Sequence, residues 1–283
     1  MKLVRYGLVG RERPGILDSD GNIRDLSNHI GDISRDALSA ASLERLAELD
    51  VDTLPVVEGN PRLGTCVGAV SKLVGVGLNY SDHAKECGLP IPKDPIIFSK
   101  AISSISGPND DVVMPRGSTK VDWEIELGIV IGQRAQYVSK DNALDYVAGY
   151  CIVNDISERE LQVDRSGGQW DKGKGCDTFG PVGPWMVTKD EISDPQNLKM
   201  TLTVNGESRQ NGNTKTMIFG VKQLVADISC WMTLEPGDII CTGTPPGVAM
   251  GMKPPAWLKP GDEMHLSIQG LGEQTQKVVA YSG

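Results

Sequence analysis

Residues 121–130 read VDWEIELGIV, and Glu124 and Glu126 stand two apart inside a run otherwise suited to burial. A strand turns successive side chains to opposite faces. Trp123, Ile125 and Leu127 therefore point one way, and Asp122, Glu124 and Glu126 the other. Three acids on one face repel each other unless water or a cation neutralises them. Both glutamates can reach one ion, but a hard divalent cation needs oxygen ligands from more than one segment. On this stretch alone a solvated strand face is the default and a metal site the alternative. Asp122 reads as the exposed start of the strand.

A third carboxylate, Asp155, closes the apolar run at the head of YCIVNDISERELQ. It can complete a three-acid set at the mouth of a fold, or it can cap a helix beginning at SERELQ. Arg159 and Gln162 follow on the same face of such a helix. The guanidinium suits a carboxylate ligand through paired N–H donors, or a surface ion pair with Glu158 or Glu160.

Upstream, NYSDHAKECG sets His83 and Glu86 one helical turn apart. A carboxylate that orients an imidazole is the usual route to a general base, and an exposed helical pair is the alternative. Only His29, His83 and His265 exist in the chain. The Gly-rich stretch GGQWDKGKGCDTFGPVGPW carries Lys172 and Lys174. A lysine beside a bound anion can stabilise charge that develops on an enolate, unless the stretch is simply a solvated loop. In CTGTPPGV, Thr244 and nearby amides can bind a carboxylate, but the lysine of a phosphate loop is missing. Gly75-x-Gly77 lacks the third glycine of a dinucleotide turn.

The elements that must position these groups are mostly strands. KLVRYGLVG and PGILDSDGNIRDL read as strands with a hairpin at Asp20-Gly21. DISRDALSAASLERLAELD has helical spacing, with Ser34 or Asp32 as cap. A Gly- and Pro-bearing stretch, residues 57–68, reads as a linker, so residues 1–70 form a small unit and 71–283 a larger one. In the larger unit, KLVGVGLNY, PIIFSK, YCIVNDIS, DIICTG and DEMHLSI read as strands. LKMTLTVNGESRQNG reads as a hairpin around Asn205-Gly206. DNALDYVAGY begins as a short helix, and TKTMIFGVKQLVADISCWMTL is the best helical pattern, with Ile218, Val221, Leu224, Val225 and Ile228 on one face. This mostly β pattern with few helices argues against a doubly wound parallel sheet.

The chain has 283 residues, 39% hydrophobic and 23% charged, the composition of a globular protein. A net charge of -9 and a pI near 4.9 argue against a nucleic-acid partner. The six cysteines show no metal-ligand spacing and read as mostly buried free thiols of a reducing compartment. The N-terminus lacks the apolar stretch of a signal peptide, and no run approaches a membrane span, so a cytoplasmic protein is expected.

Six motifs occur in one order: DHAKE, FSK, EIELG, NDISERELQ, KGKGCDTFGP and TGTPPGV. Together they resemble the fumarylacetoacetate hydrolase family from about Lys72 to the C-terminus, and RYG and DSDGNIRDLS resemble its bacterial branch. The resemblance implies an α+β fold, mostly β: a mixed β-sandwich roll with a small N-terminal α/β domain, usually a homodimer, around Mg²⁺ or Mn²⁺. It implies a 2-keto acid substrate with a second oxo group, cleaved or rearranged with release of pyruvate or a related enolate. Glu124, Glu126 and Asp155 become metal ligands. His83 and Glu86 become the water-activating dyad, on a segment that orders as a lid. Lys174, rather than Lys172, becomes the lysine that holds the enolate. Arg159, Gln162 and Thr244 would contact substrate, Lys100 would line the pocket, and Asp82 is a secondary candidate near the metal.

The loop MGMKPPAWLKPGD, with the N-terminal unit, is similar to the branch acting on 2,4-diketo-3-deoxy-L-rhamnonate or -fuconate in sugar-acid catabolism. Acylpyruvate or fumarylpyruvate hydrolysis, oxaloacetate decarboxylation or tautomerisation, and ureidoglycolate lyase activity are the alternatives.

Overall fold

A computed structural model describes residues 1–282. The chain builds two main sheets and a short two-stranded one. Across the larger sheet the strands run Ile23–Asp25, Arg13–Leu17, Lys2–Tyr6, Gly180–Thr188, Val147–Asn154, Ile125–Ile131, Ile239–Cys241, Leu73–Gly77 and Ile96–Lys100. Ile105–Ser106 joins this sheet beside Gly180–Thr188. Most neighbours are antiparallel, but Ile239–Cys241 lies parallel to Leu73–Gly77, so the sheet is mixed. The second sheet runs Glu207–Asn213, Lys199–Val204, Glu263–Ile268, Gly272–Ala280 and Val112–Met114.

One hydrophobic core fills the space between the sheets. Ile125, Leu127, Ile129 and Ile131 face Met200, Leu202, Met264 and Leu266 across it. The helix Val221–Trp231 adds Val221, Leu224, Val225 and Ile228 to the same core; Ile218 packs against it from just before the helix. A second core covers the other face of the large sheet, where Leu3, Ile16, Leu38 and Leu46 meet Val130, Val153 and Ile239. The fold is therefore α+β and mostly β, a mixed sandwich.

The chain between residues 57 and 72 is irregular, as the Gly and Pro content foretells. Even so, the first seventy residues share a sheet with the rest, because Lys2–Tyr6 pairs with Gly180–Thr188. The hairpin at Asn205-Gly206 is formed, with φ of 52° and 78° at the two turn residues, the left-handed pair that a two-residue hairpin of this type needs. The first helix begins later than expected. Ala40–Ala47 is capped by Ser39, whose side chain accepts from the Ser42 N–H, while Ser34 only precedes the short 3₁₀ turn Arg35–Leu38. The cysteines are all free, but only Cys66, Cys151 and Cys241 are buried.

Candidate active site

The carboxylates enter through strand alternation. Ile125–Ile131 runs through the centre of the large sheet with Ile125 and Leu127 turned into the inter-sheet core, which leaves Glu124 and Glu126 on the opposite side. Asp155 follows directly on the neighbouring strand Val147–Asn154, and its N–H donates to Glu124 O at 2.9 Å. One carboxylate oxygen from each of Glu124, Glu126 and Asp155 lies within 4.8 Å of the others. None of the three is solvated: exposure is 6%, 1% and 0%. The solvated-face alternative fails here, and so does the reading of Asp155 as a helix cap. Ser157–Glu158 is a short strand, and the residues after it form a π-helical turn, Glu160–Asp164.

Buried carboxylates need partners, and three cations supply them. Lys174 Nζ donates to Glu124 and to Asp155, both at 2.6 Å. It sits in a single helical turn, Asp171–Lys174, and is buried, whereas Lys172 points outward and donates to Arg165 O. Arg159 Nη2 donates to Glu124 at 2.6 Å, its Nε to Asp122 at 2.8 Å and its Nη1 to Gln162 at 2.8 Å. Lys100 Nζ donates to Asp155 at 2.6 Å and to the backbone of Ile156 and Lys174. Lys100 thus stands behind Asp155 and is not part of the cavity wall.

Asp122 overturns its reading as an exposed strand start. It is fully buried and accepts from Arg159 and from the N–H groups of Ala249 and Met250. The same alternation that singled out Glu124 places it there, and counting it would have revealed the partner of Arg159.

Four carboxylates face three cations, which leaves one excess negative charge. That excess lies on Glu126, which accepts only the Gly243 N–H, at 2.8 Å. Burial and then the charges of Asp155 and Glu124 push the Glu126 carboxyl well above its ordinary range. Burial also pushes Glu124 up, but Lys174 and Arg159 outweigh it and hold that carboxyl far below the usual range. A clustered set of hard oxygen donors with uncompensated charge fits a divalent cation such as Mg²⁺ or Mn²⁺.

His83 sits on the short helix Ser81–Glu86, and its Nδ1 lies 2.9 Å from Glu86 Oε2. The dyad expected from the spacing is formed. Cys87 lies beside it, Sγ 3.7 Å from His83 Nε2, a neighbour that spacing alone did not single out. Asp82 stands apart from the acidic set, accepting from its neighbour's N–H and from Thr216 Oγ1.

The turn after Ile239–Cys241 ties both groups together. Gly243 N–H binds Glu126, Thr244 Oγ1 donates to Ile125 O, and Gly247 N–H donates to Glu86 Oε1 at 3.0 Å. The Thr244 hydroxyl also accepts from Gln210 Nε2 at 2.8 Å, so its oxygen is largely committed. Glu124, Glu126, Asp155, Lys174, His83 and Arg159 all line one cavity of about 400 Å³, and Gln162 and Thr244 reach it too.

A fumarylacetoacetate hydrolase C-terminal family model matches residues 72–279. The chain is 61% identical over 277 residues to a protein of Burkholderia multivorans, covering 98% of both; that protein's name says hydrolase and specifies no substrate. Its fold is similar to fumarylacetoacetate hydrolase from psychrophilic Exiguobacterium antarcticum, with TM-score 0.88 and 37% identity over 99% of this chain and 100% of that one. It is also similar to maleylpyruvate hydrolase from Sphingobium sp. SYK-6, solved with manganese(II) and pyruvate, with TM-score 0.81 and 31% identity over 99% of each chain. A cavity floored by clustered carboxylates, on a fold and a sequence shared with these enzymes, places the chain in the fumarylacetoacetate hydrolase family.

Proposed function

We propose that this chain hydrolyses the C3–C4 bond of a 2,4-dioxo acid to pyruvate and a second carboxylic acid, with Mg²⁺ or Mn²⁺ held by Glu124, Glu126 and Asp155. The observation that carries the reading is the convergence of that acidic set, Lys174 and His83 in one cavity, with Glu86 held on His83 Nδ1. The maleylpyruvate hydrolase of similar fold, solved with manganese(II) and pyruvate, supports it. When bound, the ion supplies Lewis acidity to the carboxylate and 2-oxo group of the substrate.

The chain's own groups do the rest. Glu86 holds Nδ1 of His83, which leaves Nε2 to take a proton from water. The hydroxide attacks C4, the C3–C4 bond breaks, and its electron pair stays with the three-carbon unit. Lys174 stabilises the charge that develops there, and protonation at C3 gives pyruvate. Arg159 keeps two of its five N–H donors beyond those spent on Asp122, Glu124 and Gln162, enough to hold a substrate oxygen. Burial lowers the His83 pKa, but Cys87, Glu86 and the charge of Glu124 raise it, to about 10. An imidazolium accepts no proton. With a dication held at the neighbouring carboxylates, the imidazolium charge would be opposed and the His83 ring would return toward its basic form.

For the substrate we infer the sugar-acid branch, 2,4-diketo-3-deoxy-L-rhamnonate or -fuconate, with lactate as the second product of the six-carbon acid. The loop at 250–262 supports this, since Met250 at its start lines the cavity. The same reading makes the protein a cytoplasmic homodimer with no nucleic-acid partner. The test is product analysis on a panel of 2,4-dioxo acids with added Mg²⁺. Pyruvate and an equal amount of a second acid are expected. Carbon dioxide in place of the second acid would shift the reading to decarboxylation, and no product across the panel would sink it.

A further inference from the structure

The two ends of the cavity differ in kind. Every charged group that lines it belongs to the floor or to the His83 dyad. The mouth is built mainly from Leu89, Ile96, Val163, Trp170 and Met250, with Ser166 and Gly168 beside them, while Phe98, buried and with its ring 5.1 Å from Lys174 Nζ, lies deeper in the same wall. Leu89, Ile96, Val163 and Met250 are 53%, 38%, 54% and 39% exposed, which puts them at the opening, while Glu126 and Asp155 at 1% and 0% lie at the bottom. Two glycines make room for the aromatic part of this wall. A Cβ at Gly75 would lie 2.1 Å from the Phe98 ring, and one at Gly77 would lie 2.1 Å from Trp170. The rings themselves pack tilted at 54°, with 5.5 Å between centroids. These are the two glycines whose spacing made an incomplete dinucleotide turn; their use is close packing.

No lysine or arginine joins the outer wall. In the segment after Gln162, Arg165 pairs with Glu160 at 3.6 Å and Lys172 Nζ donates to Arg165 O, while Lys85 and Lys93, on either side of Leu89 in the chain, do not line the cavity. A carboxylate at the far end of a substrate would meet mostly apolar surface, with the Ser166 hydroxyl and no cation to replace lost water, which is costly. An uncharged, largely apolar tail would gain from the same wall.

We propose that the cavity selects 2-oxo acids with an uncharged, apolar-ended tail and rejects those with a second terminal carboxylate. The proposal rests on the reading above for the placement of the 2-oxo acid head at the floor. It sets this chain apart from its structural neighbour named for maleylpyruvate, a dicarboxylate. The selectivity comes from a missing cation as much as from apolar contact.

The experiment is calorimetric binding of 2-oxooctanoate and 2-oxooctanedioate to the Mn²⁺-loaded protein. The monoacid is expected to bind about tenfold tighter or more. Leu89→Arg, at an exposed wall position that tolerates the change, is expected to tighten the diacid about tenfold and leave the monoacid within a few-fold. Equal or tighter binding of the diacid by the wild type, binding of neither acid, or an unchanged ratio in Leu89→Arg would overturn the proposal. The dioxo-acid panel is scored separately. Failure of pyruvate release with the monoacid preference intact removes the hydrolase reading and keeps the subsite.

Discussion

The acidic floor and the His83 helix serve one cavity but are held very differently. Glu124, Glu126 and Asp155 hang from central strands and are buried; three cations brace Glu124 and Asp155, Asp122 braces Arg159 in turn, and the Gly243 amide holds Glu126. His83 rides on a six-residue helix with no side-chain cap, followed by a segment with Leu89 and Ile91 exposed. Its carboxylate partner Glu86 is tied down by one amide, that of Gly247. The carboxylate cluster is thus set by the sheet, and the His83–Glu86 pair by a short helix fastened to residues 216–217. Metal binding and chemistry should therefore separate under mutation.

The sharpest break is Glu126→Ala. It removes the one carboxylate without a cationic partner, so Mn²⁺ binding and pyruvate release should both vanish while thermal unfolding still shows a folded chain. A metal titration beside the assay decides this, and turnover persisting in chelator-treated variant would end the metal assignment. Next comes His83→Ala, expected to lower kcat by about 10²–10⁴-fold, the contribution of a general base, with Mn²⁺ affinity kept. An unchanged kcat would remove His83 from the mechanism.

Asp122→Asn probes the bracing itself. Arg159 loses one of its two charged partners, Glu124 is less firmly placed, and metal affinity should fall about 10- to 100-fold, the cost typical of removing a group that orients a ligand. Isothermal titration with Mn²⁺ reads it, and an unaltered affinity would show that the sheet alone holds Glu124. The smallest effect is on pH. Glu126 is raised, so its proton is bound over a range where an ordinary glutamate has lost it. Metal must displace that proton, and affinity should rise with pH, by up to about tenfold per unit, until Glu126 ionises. Mn²⁺ titrations at two pH values check the slope, and a flat dependence would place the excess charge elsewhere. A companion signature lies on the other side of the comparison. The His83 ring, protonated below about 10 in the metal-free protein, should titrate at lower pH when Mg²⁺ is added, as ring NMR signals would report.

The floor was legible because it rests on a period of two, which sequence displays directly. Glu124 and Glu126 announced a face, and the choice of Lys174 over Lys172 agrees with its burial between Glu124 and Asp155. Asp122 shared that face and was set aside only because it looked terminal; its partners Arg159, Ala249 and Met250 lie far along the chain. Lys100 shows the same limit, since spacing cannot say whether a lysine faces a cavity or the back of a carboxylate. The strand Gly180–Thr188 was hidden for another reason. Pro181 and Pro184 read as loop, yet the pairing register with Val147–Asn154 shifts between Tyr150 and Ile152, opposite this stretch. The irregularity accommodates prolines that a regular central strand would exclude.

The turn at residues 243–247 deserves a last consequence. It is fastened to Glu126 at one end and to Glu86 at the other. Mechanically it is a caliper, setting the gap between the carboxylate cluster and the His83–Glu86 pair, and on the proposed reading that gap matches the distance from acid head to scissile carbonyl. Lengthening it by a residue would replace no charged side chain, yet on the proposed reading it is expected to shift the preferred substrate to a different carbon count.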